Sequence, residues 1–149
     1  MRKLVVSNDF FAEAAMELSK GKSVRMLVGG QSMYPFIHGG KDEIEIAPYD
    51  GTTPPKPWCC PFYKWEGSYM IHRFIGMNGN KWQMLGDGNI CRIEEVPQED
   101  IIGILRTIYH PDGTIQDCSD KAWLRRACWW YRLRKVRRFL IPLLRRLGI

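Results

Sequence analysis

No stretch of this sequence reaches the ~18 to 20 uninterrupted apolar residues that a membrane-spanning helix needs. Its start, Met1-Arg2-Lys3-Leu4-Val5-Val6-Ser7, has no apolar run long enough for a secretory signal. The expectation is a cytoplasmic chain that lies on a membrane, peripheral on its inner face, if it meets one at all. Cysteine spacing gives no metal motif: the five cysteines include no Cys-x-x-Cys pair, Cys59 and Cys60 are adjacent, and Cys91 and Cys118 lie far off. Reduced, ordinary buried thiols are expected, with no metal and no cofactor. There is no internal repeat and no low-complexity tract, which sets aside solenoid, collagen-like and mucin-like architectures. Acids are almost missing from one end: Ser119 to Ile149 holds ten Lys or Arg against Asp120 alone. That segment carries +9 of a total of +6 and leaves −3 for the rest. A mildly acidic body with a basic tail calls for an anionic partner of the tail.

What is present suits one folded domain: 149 residues, 45% apolar and 26% charged, enough to bury a core without staples. The division read from charge and pattern is a body over 1–118 and a basic helix over 119–149. Ser7 is placed to cap a helix over about 8–20, which Gly21 would end. Ser23–Val28 and Asp42–Ala47 alternate as strands do, Asp50 to Pro61 reads as a loop, and Pro111-Asp112-Gly113 as a hairpin turn. The clearest cue is Asn78-Gly79 between the strand-like runs Tyr69–Gly76 and Lys81–Leu85. With Asn78 and Gly79 as a two-residue turn, His72 faces Leu85 and has Asp87 as its same-face diagonal neighbour. A three-residue turn shifts the register and turns Asp87 away. In the tail, Trp129, Leu133, Val136, Leu140, Leu143 and Leu147 recur at helical spacing, and basic residues including Arg132 and Lys135 fill the remaining circumference. Pro142 should kink or restart this amphipathic helix.

Three short segments place polar groups in specified settings: Gly29-Gly30-Gln31-Ser32-Met33-Tyr34-Pro35, Ile71-His72-Arg73 and Gly86-Asp87-Gly88-Asn89. Serine, histidine and aspartate are the parts of an acyl-transfer site. A hydroxyl is a poor nucleophile until a base takes its proton, and an imidazole, ordinarily near ~6.5, can do so at neutral pH. A carboxylate on the other ring nitrogen holds the tautomer and stabilises the imidazolium. Glycines before the serine let backbone N–H groups approach the developing oxyanion. The bland readings are a turn serine, a half-buried strand histidine and a turn aspartate.

Taken together and in order, these segments resemble the boxes of the type I signal peptidase and LexA-like serine peptidase superfamily. Ser32-Met33-Tyr34-Pro35 is similar to the nucleophile box, Lys41–Ile46 to the strand after it, Ile71–Ile75 to the general-base box, Gly86–Asn89 to the Gly-Asp-x-Asn box, and Glu99–Leu105 to the closing strand. The likeness spans about residues 23 to 108. It implies a mainly β catalytic domain flanked by the two helices, with Ser32 as nucleophile, His72 as base and Asp87 as its support. This is the histidine-type pattern of endoplasmic-reticulum and archaeal signal peptidases. It further implies an oxyanion hole from the Ser32 amide and Gly30, supporting roles for Met33, Pro35, Arg73 and Asn89, and an extended substrate with small side chains beside the cut. The sequence departs from that pattern in having no amino-terminal anchor. It also lacks the Gly-Asp-Ile-Val box, where Trp58-Cys59-Cys60-Pro61 and Phe62–Trp65 stand instead, which implies an altered groove edge.

The functional expectation is a serine endopeptidase that cuts a peptide or protein precursor at the membrane surface. The alternatives are a non-catalytic peptide-binding member of the same fold and a nucleic-acid-binding regulator. For the tail, an anionic membrane surface comes first, with Trp129, Arg132, Leu133, Lys135, Val136 and Leu140 in contact. A coiled-coil seam or docking on the body is second, and nucleic acid last, since no base-reading motif accompanies the basic helix.

Overall fold

The computed structural model describes residues 8–89 and 92–149; the capping expected of Ser7 and the state of Cys91 lie outside them. The chain is mainly β. Helix α1 (Asn8–Ser19) stops where Gly21 takes φ 80°, a conformation that costs glycine little. A six-stranded antiparallel sheet has the order β1-β2-β8-β3-β4, with β9 also on β8. Its strands are β1 (Val24–Leu27), β2 (Glu43–Pro48), β3 (Pro61–Trp65), β4 (Ser68–Ile71), β8 (Ile101–Tyr109) and β9 (Ile115–Asp117). A second sheet is the meander β5 (Arg73–Asn78), β6 (Lys81–Leu85) and β7 (Ile93–Pro97). The chain passes from one sheet to the other at His72, between β4 and β5.

Alternation explains the burial. In β2, Ile44 and Ile46 point inward and join Met26, Phe62, Leu105 and Ile108, under Ala14 and Leu18 of α1. Each fully buried side chain of this size contributes about 1.5–3 kcal/mol. A second cluster, Tyr63, Phe74, Trp82, Met84, Val96 and Ile101, fills the space between the two sheets.

Three local outcomes differ from the sequence reading. Asn78 pairs with Lys81, so the central turn residues are Gly79 and Asn80, one position later than Asn78-Gly79. Gly79, at φ 60°, takes the first central place, where a tight hairpin turn demands positive φ. A bulge at Ile75 then sets Arg73, not His72, opposite Leu85. The hairpin of β3 and β4 turns on Glu66 and Gly67, both at positive φ, and strand β7 pairs along the whole of β6; neither was expected.

The tail is two helices, α2 (Lys121–Arg132) and α3 (Arg137–Arg146). The interruption falls at residues 133–136 and Pro142 sits inside α3. The cause is tertiary: Arg137 is only 1% exposed because its guanidinium turns inward to backbone carbonyls. Asp120 caps α2 by accepting from the Trp123 amide. Trp123 belongs to the same cluster as Leu105 and Phe62, so α2 is anchored in the main core by that side chain. No helix among the described residues is long and apolar enough to cross a membrane.

Candidate active site

Ser32 follows the loop that leaves β1, and His72 sits at the crossing from β4 to β5. The two line one cavity of about 250 Å³ together with Gly29 and Gly30. Its other walls are apolar: Val28, Met33, Ile37, Ile44, Ile71 and Tyr69, with Phe11 contributed by α1. The cavity thus combines a hydroxyl and an imidazole with an otherwise largely apolar lining. Edge strand β4 contributes Tyr69, Met70 and Ile71 to its rim.

The loop Gly86-Asp87-Gly88-Asn89 packs on the segment that carries Gln31 and Ser32. The Gly88 amide donates to the Ser32 carbonyl at 2.8 Å. A Cβ on Gly86 would lie 2.6 Å from that carbonyl oxygen and 3.2 Å from His72 Cδ2, and one on Gly88 would lie 2.8 Å from the Gln31 oxygen. Close approach of backbone to backbone is therefore the reason for glycine on both sides of Asp87. The Cδ2 edge of the imidazole, the side that carries Nε2, faces this loop.

His72 is 3% exposed. Its Nδ1 lies 2.5 Å from Glu94 Oε1, and the Tyr63 hydroxyl donates to the same oxygen at 2.8 Å. Glu94 is itself buried. With Nδ1 engaged by a carboxylate, that nitrogen carries the proton and Nε2 is left as the basic site. Burial, then the neighbouring Glu94 charge, raises the pKa of Tyr63, so the phenol stays a donor. Glu94 Oε2 has no hydrogen-bond partner among the described residues. The strong contact to His72 is therefore a main compensation for burying this acid.

Asp87 makes no hydrogen bond to His72 among the described residues. Its two oxygens accept from Arg73 Nε at 3.0 Å and Nη2 at 2.6 Å, a bidentate buried pair. Arg73 also donates to the Trp58 carbonyl at 2.8 Å, with the rings of Trp123 and Phe36 at 4.5 and 4.9 Å. Burial disfavours the Arg73 charge, but Asp87 outweighs it and holds the guanidinium above its ordinary value. The diagonal placing of Asp87 beside His72 that a two-residue Asn78-Gly79 turn would give is not formed, because the Ile75 bulge and the later turn alter the register. Arg73 and Asn89 hold structure: Asn89 returns its amide to the Gly86 carbonyl and its own carbonyl accepts from Arg137 at 2.7 Å. Met33 is buried in the main core, and the Tyr34–Pro35 peptide is cis.

Glu94, Tyr63 and Arg137 were missed in the sequence. Glu94 had a readable trace, since it shares a strand face with Val96 two residues on, and Val96 is fully buried. Tyr63 lies in the stretch that departs from the family's box pattern. Lys64 is exposed on β3, with its ammonium 5.9 Å from the Tyr69 ring. No hydrogen bond joins Ser32 to His72 among the described residues, and such contacts often tighten only with substrate present.

A larger cavity of about 490 Å³ lies between the proline-rich loop, β8 and α2. Its thiols are poor nucleophiles: burial pushes Cys59 and Cys118 up to about 12, and no imidazole lines it. Of these two cavities, the smaller is the one lined by both Ser32 and a histidine held by a carboxylate. Neither a protein-family model nor a curated protein matches this chain.

Proposed function

We propose that the protein is a serine endopeptidase of the signal-peptidase-like type, acting on a peptide or protein precursor. The observation that carries this reading is the buried Glu94–His72 pair opening onto the cavity that Ser32 lines. His72 Nε2 takes the Ser32 proton as the hydroxyl oxygen attacks the scissile carbonyl, and Glu94 stabilises the imidazolium that results. The same imidazolium then gives its proton to the leaving amine, and water attacks the acyl-enzyme by the reverse path. The Ser32 amide, with Gly30 beside it, is the proposed donor set for the oxyanion. In this reading Glu94 replaces Asp87 as the supporting acid, and Asp87 becomes the counter-ion of Arg73.

The test is cleavage of a small-residue, signal-like peptide library by the full chain with anionic vesicles present, read by mass spectrometry. Wild-type cuts should vanish in Ser32→Ala and in His72→Ala. Cuts that persist in Ser32→Ala would overturn the assignment. Peptide binding without any cut, unchanged in Ser32→Ala, would make the protein a peptide-binding module instead.

A further inference from the structure

The two faces of the α2–α3 segment have opposite characters. Trp123, Ala127, Trp130 and Arg137 face inward and are buried. On the outside stand Trp129 (62% exposed), Leu133 (43%), Val136 (43%), Phe139 (65%), Leu143 (51%) and Leu147 (64%). Single exposed apolar residues are ordinary on a protein surface. Six within one short helical segment are not, and such a patch marks a contact surface. Cations interleave it, Arg132, Arg134, Lys135, Arg138, Arg145 and Arg146, in a segment of net charge +9.

We propose that this outer face is a docking surface for an anionic lipid bilayer. A second copy of the chain would bring +9 against +9 across a gap shorter than the ~8–10 Å screening length, which opposes self-association through this face. A nucleic acid would use the cations and leave the apolar stripe in water. A bilayer satisfies both, with the apolar side chains about 5–10 Å into the headgroup and acyl boundary and the cations at headgroup level. The local pairing suits that depth: the Arg132 guanidinium lies 5.2 Å from the Trp129 ring and that of Arg138 lies 4.7 Å from Phe139. Each charge therefore stands beside the ring that would insert.

Docking also fixes where the cavity stands. The Tyr34 hydroxyl donates to the Ile149 carbonyl at 2.5 Å and Arg145 lies 5.1 Å from the Tyr34 ring. The far end of the tail thus abuts the nucleophile loop two residues from Ser32. A bilayer bound to α3 then holds the cavity close to the lipid surface, so its substrates are segments that emerge there. This corollary rests on the peptidase reading; the lipid contact does not.

The experiment is co-sedimentation of the full chain with vesicles of phosphatidylcholine alone and of phosphatidylcholine mixed with phosphatidylglycerol. Binding to the mixed vesicles should be about tenfold or more tighter than to the neutral ones and should fall in 1 M salt. The variant Leu133→Ser, Phe139→Ser, Leu143→Ser changes only exposed positions, so its circular dichroism should match wild type while vesicle binding drops about tenfold. Ser32→Ala should bind vesicles like wild type, which separates this proposal from the catalytic one. Absence of binding to the anionic vesicles would overturn it. So would undiminished binding by the triple variant, a wild-type dimer that the triple variant dissolves, or duplex DNA binding tighter than vesicle binding and indifferent to that variant.

Discussion

Two acids, Glu94 and Asp87, sit beside neighbouring residues and carry opposite expectations. Glu94→Gln keeps the shape of the side chain and loses the charge that opposes the imidazolium. Turnover should fall about 10³- to 10⁴-fold, as when a triad acid is made neutral, with the urea midpoint little changed. Asp87→Asn leaves the Arg73 charge buried without its counter-ion, which costs about 3–5 kcal/mol and should show first as a loss of stability. Intact stability with dead catalysis in Asp87→Asn, beside a fully active Glu94→Gln, would restore the role to Asp87. The thiols make a separate case. Burial raises Cys59 and Cys118 to about 12 and Cys60 well above its usual value, whereas an unfolded thiol titrates near ~8.5. The folded form favours the protonated thiols, so their contribution is complete below pH ~8.5 and is lost as pH rises from there towards 12. Urea midpoints measured from pH 7 to 10 should therefore decline over the upper part of that range, and Cys60 should resist alkylation until the protein unfolds. A midpoint flat to pH 10 would contradict this.

The elements differ in how much of them the residues announced. Helix α1 and strands β1, β2 and β6 were legible because their periodicity and glycine stops agree with their environment. Strand β7 was not, since two consecutive glutamates mask an alternation whose inward member is a buried acid. The acid it carries, Glu94, is the one that meets His72 Nδ1. The tail's helical character was legible, but its break was not. Pro142 offered a local signal at the wrong place, while the break itself depends on carbonyls that Arg137 meets only in the folded chain. Arg137 donates to the carbonyls of Trp130, Gly86 and Asn89, and Trp130 Nε1 donates to the Asp87 carbonyl at 2.7 Å. These contacts brace the loop whose Gly88 amide holds the Ser32 carbonyl. Arg137→Ala should loosen that loop: kcat falls about tenfold with KM little moved, in line with the cost of a lost charged hydrogen bond, and Gly88 amide exchange accelerates. A fall in stability alone, with kcat and the Gly88 amide unchanged, would confine Arg137 to a packing role.

For the molecule as a whole, the mainly β character that the resemblance implied is what the two antiparallel sheets show, and Ser32 and His72 line the same cavity. The carboxylate could not be found from that resemblance, because it depends on how two sheets meet. The three-stranded meander bears on when the parts come together. Its internal contacts are short-range in sequence, 22 residues for His72 to Glu94 and 14 for Arg73 to Asp87. The wall around Ser32 instead requires β2 to find β8, with Ile44 set against Ile108. Short loops close at lower entropic cost and sooner than long ones. The acid–base pair is therefore expected to assemble early, and pulsed hydrogen exchange during refolding should protect β5 and β6 before β2. Ser32 leaves the ribosome before His72 does, yet gains its cavity only when the strand ending at Tyr109 closes. A chain caught in mid-synthesis then carries Ser32 without the cavity in which the proposed chemistry would take place.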